Sequence, residues 1–308
     1  MSAARSIRLI APSGYPSDPL AIERGIARLR AAGHSVDGVE VTQRKLLRFA
    51  GTDAERAADL NRLADPATEL PDIALAIRGG FGASRLLDRL DYAGLKRRLL
   101  GAPVALVGHS DFTALQLALL AQSGLTTFGG PMLASNFGAE TLDEDSWEHF
   151  WRTLHSTRVT HRIEAAQADT VAVEGTLWGG NLALLTALVG TPFMPRVEGG
   201  ILFIEDVNEP PFRIERMLLQ LHQAGMLARQ QAVVLGDFTD YTQTAYDNGY
   251  TLDAMVDDLR GRLGLPIIRG LPFGHGARIL TLPVGGTAQL VSHTEGFSLS
   301  FTTYPNFA

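Results

Sequence analysis

The chain has 308 residues, about twice the usual length of one compact domain, so we expect two domains. Its composition, with 45% hydrophobic and 19% charged residues, is that of a globular protein and excludes collagen-like, coiled-coil and disordered classes. The absence of cysteine excludes disulfides, thiolate nucleophiles and cysteine-bound metals. A net charge of −6 argues against a nucleic-acid partner held by phosphate neutralisation.

The sequence also bears on where the protein works. No stretch approaches roughly 18 consecutive apolar residues, so we expect no membrane-spanning segment. The N-terminal apolar run Leu9–Ala11 is broken at once by Pro12, well short of the roughly 7 to 15 apolar residues of a signal-peptide core. We therefore predict a cytoplasmic protein without a membrane partner.

The first 135 residues alternate between short apolar runs and amphipathic helices. The runs span residues 7–11, 73–77 and 104–107. The helices are predicted to begin at Asp18, to begin at the capping box of Thr52 and Glu55, and to run through 86–90 and 115–120. This alternation predicts βαβ units and a mostly parallel sheet, in which functional sites lie at the carboxyl ends of the strands.

The rest of the chain has a different texture. Residues 136–168 are predicted to form a surface connector with a short helix docked by Trp147, Phe150 and Trp151. Residues 169–308 are predicted to contain a turn and helix over 175–189, strands at 201–204 and 232–235, helices around 214–221 and 252–259, and a closing hairpin around 294–296. The predicted fold class is α/β, with domains 1–135 and 169–308 separated by the connector.

One candidate nucleophile follows a buried strand. The string Gly108-His109-Ser110 ends that strand and turns into a helix, which is how many hydrolases present a serine at the top of a sheet. The backbone N–H of Asp111 would then be free to face an oxyanion. The alternative is that Ser110 only caps the helix.

A glycine-rich turn follows the preceding strand. Three of the four residues Gly79–Gly82 are glycine, which allows backbone to approach a ligand closely, either as an oxyanion donor or as a phosphate cradle. The turn matches neither common nucleotide-binding motif. A tight connection between a strand and a helix is the alternative interpretation.

Two acids and one histidine complete the candidate chemistry. Glu205 and Asp206 follow an apolar strand and are predicted to stand at its exposed end. A carboxylate there could orient a histidine, pair with Arg213 or Arg216, or be solvated, and a solvated or ion-paired carboxylate is the usual outcome. Consecutive side chains of a strand point to opposite sides, so the two acids cannot serve one site equally. His275 lies between two glycines in a predicted exposed loop, whereas the side chain of His109 should diverge from its neighbour Ser110. Ser110, His275 and Glu205 could supply a nucleophile, a base and an orienting acid, although spacing alone does not show that they meet.

Taken together, these strings resemble the LD-carboxypeptidase family of serine peptidases, which includes bacterial muramoyltetrapeptide carboxypeptidases and microcin C immunity peptidases. The resemblance covers nearly the whole chain. The matching strings are 10–13, 49–53 with Arg56, 78–82, 108–111, 179–182, 205–206 with 213–216, and 274–275 before 282–285. The chain departs from its relatives at Phe81, where they often have tyrosine, and at Gly129-Gly130-Pro131, where they often have His-Gly-Pro. Both departures could alter substrate choice.

The resemblance implies a fold and a set of site residues. It implies a flavodoxin-like N-terminal half that carries the serine, and a second domain that carries the glutamate and the histidine. The implied triad is Ser110, Glu205 and His275, with the backbone N–H groups of Asp111 and Gly80 as the oxyanion hole. No cofactor and no metal are implied.

The resemblance also implies an activity. It suggests an enzyme of peptidoglycan recycling that removes the terminal D-alanine from the murein tetrapeptide, a small peptide substrate, at the bond after an L-centre diamino acid. Arg78 is a candidate for binding the terminal carboxylate, with a structural ion pair as the alternative. A homodimer is implied as well. The runner-up is an immunity-type amidase that cleaves peptidyl or aminoacyl nucleotides, and a non-catalytic protein that holds an anion in the glycine turn is a third hypothesis.

Overall fold

The computed structural model describes residues 3–308 and contains two β-sheets. The strands of the first sheet are β1 (Ser6–Ile10), β2 (Ser35–Asp37), β3 (Ile73–Ala76), β4 (Ala105–Gly108), β5 (Thr127–Gly129) and β11 (Leu282–Val284). Their order is β11-β5-β4-β3-β1-β2. Every pair is parallel except β11 with β5, which is antiparallel. The first five strands therefore have the 2-1-3-4-5 order of flavodoxin-like folds.

Four helices connect the strands of this sheet: α1 (Pro19–Ala31), α2 (Asp53–Asn61), α3 (Tyr92–Leu99) and α4 (Thr113–Ser123). Local sequence determines where two of them begin. The Asp18 carboxylate accepts a hydrogen bond from the N–H of Ala21, and Pro19 occupies the first turn of α1. Thr52 and Glu55 form the predicted capping box of α2.

The second sheet has seven strands: β6 (Val159–Glu164), β7 (Ala172–Asn181), β8 (Gly200–Val207), β9 (Gln230–Thr239), β10 (Ile267–Arg269), β12 (Thr287–His293) and β13 (Gly296–Thr302). Their order is β10-β9-β8-β7-β12-β13-β6. The pairs from β10 to β7 are parallel, and the remaining pairs are antiparallel. The accompanying helices are α5 (Glu144–Leu154), α6 (Leu182–Ala187), α7 (Pro211–Gln223) and α8 (Leu252–Leu263).

These observations confirm the predicted fold class. A mostly parallel sheet precedes a mixed one, and the β12–β13 pair forms the predicted antiparallel hairpin at the end of the chain. Strands β3, β4 and β8 have nearly every side chain buried, as expected for strands covered on both faces. None of the helices that the structure describes combines the length and the apolarity needed to span a bilayer.

The predicted helix through residues 86–90 is wrong. Two short 3₁₀ turns, Ala83–Arg85 and Leu87–Arg89, occupy this segment. The α-helix begins only after Asp91, whose carboxylate accepts from the N–H of Gly94 at 2.8 Å. The apolar residues of the segment are buried as predicted, but burial alone does not distinguish an α-helix from successive tight turns.

The predicted turn at the start of 175–189 is also wrong, because residues up to Asn181 belong to β7. The glycines there serve close backbone packing. A Cβ added to Gly175 would lie 2.0 Å from the carbonyl oxygen of Gly199. Glycine is therefore required at this position because another chain segment passes directly above it.

The division of the chain into 1–135, 136–168 and 169–308 stays a prediction. The structure adds two connections that cross these boundaries. Strand β6 of the predicted connector pairs with β13 in the second sheet. Strand β11, which follows the loop that carries His275, returns to the first sheet and pairs with β5. That loop is thereby anchored to both sheets.

Candidate active site

Ser110 lies on a sharp turn at the carboxyl end of β4. Its φ is 60°, a left-handed backbone conformation that residues other than glycine rarely adopt. The turn runs directly into a 3₁₀ segment (Ser110–Phe112) and helix α4. Small residues make room for it, since a Cβ on Gly108 would lie 2.7 Å from the ring of Phe112. A strained serine between a strand and a helix has the geometry of a nucleophile elbow.

Three side chains from distant segments form one hydrogen-bonded chain at this turn. Nε2 of His275 lies 3.0 Å from Oγ of Ser110. Nδ1 of the same ring lies 2.8 Å from Oε2 of Glu205. The imidazole therefore connects a hydroxyl to a carboxylate, and the Nδ1 contact fixes which ring nitrogen carries the proton when His275 is neutral.

Glu205 and Asp206 are not at an exposed strand end, and the expectation of solvated or ion-paired carboxylates is wrong. Both are buried within β8, with relative exposures of 0% and 3%. The side-chain amide of Asn181 donates to Oε1 of Glu205 at 3.1 Å and to Oδ1 of Asp206 at 3.0 Å. These hydrogen bonds replace the ones that the two carboxylates would make with water if they were exposed.

The two carboxylates face different neighbours. Glu205 contacts His275, whereas Asp206 accepts hydrogen bonds from the N–H groups of Ala183 and Val207, both at 2.9 Å. Burial raises the pKa of Asp206 to about 6. Burial alone would lower the pKa of His275, but the hydrogen bond and the charge of Glu205 outweigh it and raise that pKa above its ordinary value. Only Glu205 is therefore placed to act on the imidazole directly.

His109 has a separate role in the packing. Its Nδ1 lies 2.9 Å from the carbonyl oxygen of Gly130, and its ring stands edge-on to His275 with 5.5 Å between the centroids. Burial, and then the neighbouring His275, lower the pKa of His109 to about 4. A neutral imidazole bonded to backbone is a structural neighbour of the site and not a base for Ser110.

The glycine turn forms one wall of a cleft of about 350 Å³ that contains Ser110 and His275. Gly79 packs against Ser110, and Gly80 has a φ of 106°. Within residues 3–308, the N–H groups of Gly80 and Asp111 donate to no other backbone group. Both donors are thus available for a ligand at the turn.

Arg78 lines the same cleft. Its guanidinium donates to the carbonyl oxygen of Tyr15 at 2.9 Å. The ion pairs among residues 3–308 do not include Arg78, so the alternative of a structural ion pair is wrong. This leaves an arginine without a carboxylate partner in the cleft that Ser110 also lines.

Several side chains support the site in ways that were not predicted from the sequence. The Asp111 carboxylate is buried beneath the turn, where it accepts from Oγ of Ser13 at 2.6 Å and from the N–H of Ala83 at 2.8 Å. Arg56 is fully buried and donates to the carbonyl oxygen of Gly82 at 2.9 Å. These bonds tie the serine turn to the glycine turn. Asn181 and Arg56 occur in the strings that carry the family resemblance, which was the available signal.

No metal site accompanies this arrangement in the described part of the chain. Among residues 3–308, no three His, Asp or Glu side chains are grouped so that they could hold a metal ion. The groups that the structure brings together at the turn are a hydroxyl, an imidazole, a carboxylate and backbone N–H groups.

We expect Gly79→Ala to slow the reaction of Ser110 with a fluorophosphonate by about 10²-fold, because a misplacement of about 1 Å can cost that much. The added Cβ would lie 2.8 Å from Cβ and 2.9 Å from Oγ of Ser110, so the hydroxyl must move. The labelling rate measures the effect. Gly261→Ala is the matched control, since its Cβ meets nothing within 4 Å and alanine favours the helix α8. Equal rates in both variants would contradict this account of Gly79.

Comparison with known proteins places this chain in a family. Family models match residues 7–130, as an LD-carboxypeptidase N-terminal domain, and residues 174–290, as an LD-carboxypeptidase C-terminal domain. The chain is 32% identical over 299 residues to a murein tetrapeptide carboxypeptidase of Pseudomonas aeruginosa, covering 92% of each chain. It is 28% identical over 294 residues to the microcin C7 self-immunity protein of Escherichia coli, covering 85% of this chain and 83% of that protein.

A solved structure agrees with this relationship. The crystal structure of a muramoyltetrapeptide carboxypeptidase from Oxalobacter formigenes superposes with a TM-score of 0.90 at 42% identity. The match covers 98% of this chain and 100% of that one. Sequence and fold thus agree over nearly the whole length, and the chain belongs to the LD-carboxypeptidase family of serine peptidases.

Proposed function

We propose that the protein is a serine carboxypeptidase in which Ser110 is the nucleophile, His275 the general base and Glu205 the residue that orients the base. The observation that carries this proposal is the hydrogen-bonded chain, with 3.0 Å from Ser110 to His275 and 2.8 Å from His275 to Glu205. Both distances lie in the range that proton transfer requires.

The proposed reaction has two stages. Oγ of Ser110 attacks the carbonyl carbon of the terminal peptide bond while Nε2 of His275 takes its proton. The imidazolium, stabilised by Glu205, then donates that proton to the leaving amine, and an acyl-enzyme remains. A water molecule attacks the acyl carbon, His275 accepts its proton and returns one to Ser110, and the shortened peptide leaves with a new carboxylate.

We propose that the N–H groups of Asp111 and Gly80 stabilise the oxyanion that forms in each stage. Both belong to turns that meet at Ser110, and neither donates to another backbone group within the described residues. Preorganised donors of this kind contribute roughly 10²- to 10³-fold in rate each. Arg78, which lines the cleft without an acidic partner, is the proposed contact for the terminal carboxylate of the substrate.

The proposed substrate is the murein tetrapeptide. Release of its terminal D-alanine, at the bond after the L-centre of the diamino acid, would place the enzyme in peptidoglycan recycling. The names of the relatives from Pseudomonas aeruginosa and Oxalobacter formigenes support this choice. A cytoplasmic location and a homodimer remain predictions.

The test is to incubate the purified protein with murein tetrapeptide and measure free D-alanine. We expect release of one equivalent of D-alanine per tetrapeptide, and the corresponding tripeptide in a mass spectrum. A folded protein that leaves the peptide intact would refute the substrate assignment. The Ser110→Ala variant serves as the control for contaminating peptidases.

The second candidate substrate is a peptidyl or aminoacyl nucleotide. The match to the microcin C7 self-immunity protein supports it, because the alignment with that relative covers 85% of this chain. The same three side chains would perform the cleavage. Comparing kcat/KM for the tetrapeptide with that for an aminoacyl sulfamoyl adenosine distinguishes the two, and the larger value identifies the substrate class.

A further inference from the structure

A second cleft lies between helix α5, the edge strand β6 and the loop that follows His275. Its volume is about 850 Å³, and it shares no lining residue with the cleft of Ser110. Five basic residues line it: His149, Arg152, His161, Arg162 and Arg278. The side chains of His161 and Arg162 point to opposite faces of β6, because the two residues are consecutive in the strand. Such a concentration of guanidinium and imidazole groups in one concave surface is typical of sites that bind oxyanions.

His161 is the unusual member of this group. It is 4% exposed, and neither of its ring nitrogens has a hydrogen-bond partner within the described residues. The ring packs against His149 at 4.8 Å and against Phe301 at 5.4 Å between centroids. Buried polar atoms without partners are costly, so a ligand that reached this ring would satisfy them.

The protonation states of the two imidazoles suit a hydrogen-bonding ligand. Burial, and then the charges of His149, Arg152 and Arg278, lower the pKa of His161 to about 3, so the ring is neutral and keeps one N–H donor. Arg152 donates to Nδ1 of His149 at 2.6 Å, which leaves the His149 proton on Nε2. Each ring can therefore offer one N–H group.

The cleft also carries excess positive charge. The ion pairs among residues 3–308 include neither Arg152 nor Arg162. Arg278 pairs with Asp145 at 3.1 Å, and Glu164 contributes one carboxylate to the lining. Arg152 has no carboxylate partner among the described ion pairs, so its guanidinium charge is left for an anion to neutralise.

We propose that this cleft binds a phosphate group, held by Arg152 and Arg278 with an N–H of His161 as a further donor. Guanidinium groups match the oxygen spacing of phosphate. The neutral imidazole adds an N–H donor without placing another positive charge beside the two guanidinium groups. The volume exceeds what a single phosphate ion fills, so the ligand class is a phosphate monoester, with inorganic phosphate as the minimal form. The proposal is independent of the reaction at Ser110.

Calorimetric titration of the full chain with inorganic phosphate, at constant ionic strength and pH 7, tests the proposal. We expect saturable binding at one site. Arg152→Gln and Arg278→Gln should each weaken it about tenfold or more, because each removes a charge-assisted hydrogen bond. Arg97→Gln is the matched control, since Arg97 is exposed in α3, lies outside the lining of the cleft and loses the same charge.

Two outcomes would overturn the proposal. One is the absence of saturable binding in the wild type. The other is equal affinity in all three variants, which would mean that phosphate binds elsewhere, for example beside Arg78. A parallel titration with glucose 6-phosphate distinguishes a phosphate monoester from inorganic phosphate as the ligand. Tighter binding of the ester indicates a phosphorylated metabolite, and equal affinity indicates the inorganic ion.

Discussion

Ser110→Ala is expected to lower kcat/KM for the murein tetrapeptide by roughly 10⁴- to 10⁶-fold, the range seen when the nucleophile of a catalytic triad is removed. The physical reason is that alanine removes Oγ, the atom that is hydrogen-bonded to Nε2 of His275. The protein contains no cysteine that could supply a thiol nucleophile instead. Initial rates of D-alanine release measure the effect.

The fold should survive this substitution. Ser110 has a positive φ of 60°, and alanine adopts that backbone conformation at no greater cost in free energy than serine. The temperature of thermal unfolding should therefore change little. His275→Ala should cost a similar factor, and the double variant should be no slower than either single one, because the two groups act as a unit. Additive losses would contradict a shared proton relay.

Labelling with a fluorophosphonate separates this hypothesis from simple anion binding. A hydrolase should be modified at Ser110 in the wild type and should lose that modification in His275→Ala, since the hydroxyl then lacks its base. A wild-type protein that resists the label would instead support a non-catalytic protein that holds an anion in the glycine turn.

The sequence predicted the parallel half of the fold well because several of its strands are visible in the sequence as short apolar runs. β3 and β4 are buried on both faces. The helices α1 and α2, which lie between β1 and β3 in the chain, have recognisable caps at Asp18 and Thr52. The short strands β2, β5, β10 and β11 have three residues each, too few for a periodic pattern. Their position is determined by pairing with neighbours that lie far away in the sequence.

The site shows the same division between local and long-range information. The string around Ser110 predicted a serine between a strand and a helix, because that turn is a local feature. The contact between Glu205 and His275 spans 70 residues and arises from the second sheet and the loop that joins it to β11. Local spacing could not reveal it, and the triad assignment rested on the family resemblance.

Asn181 shows why the surroundings of a site are harder to predict than its reacting groups. In sequence it is a polar residue before a helix, and its Oδ1 does cap α6 through the N–H of Leu184 at 3.1 Å. Its Nδ2 simultaneously bridges the two buried acids. The second function depends on strands β7 and β8 lying side by side, a tertiary arrangement that has no local signature.

Glu205→Gln is expected to lower kcat by about 10⁴-fold through the tautomer of His275. The amide of Asn181 donates to Oε1, so a glutamine would place its carbonyl oxygen there and turn its NH₂ toward Nδ1 of His275. Nδ1 must then accept a hydrogen bond, and the ring proton moves to Nε2. A protonated Nε2 cannot take the proton of Ser110, so the base is lost while the hydrogen bonds remain.

The same variant should change the dependence of activity on pH. Only neutral His275 can act as a base, so wild-type kcat/KM should fall as the pH drops through a pKa that lies above 6.5. Because Glu205 supplies the charge that raises this pKa, the acid limb of the residual activity should move to lower pH in Glu205→Gln. Asp206→Asn is the matched control: Asp206 is equally buried and shares Asn181, but its own hydrogen bonds go to backbone and not to the imidazole. Equal losses of kcat in the two variants, at unchanged thermal stability, would show that the wrong carboxylate has been assigned to the histidine.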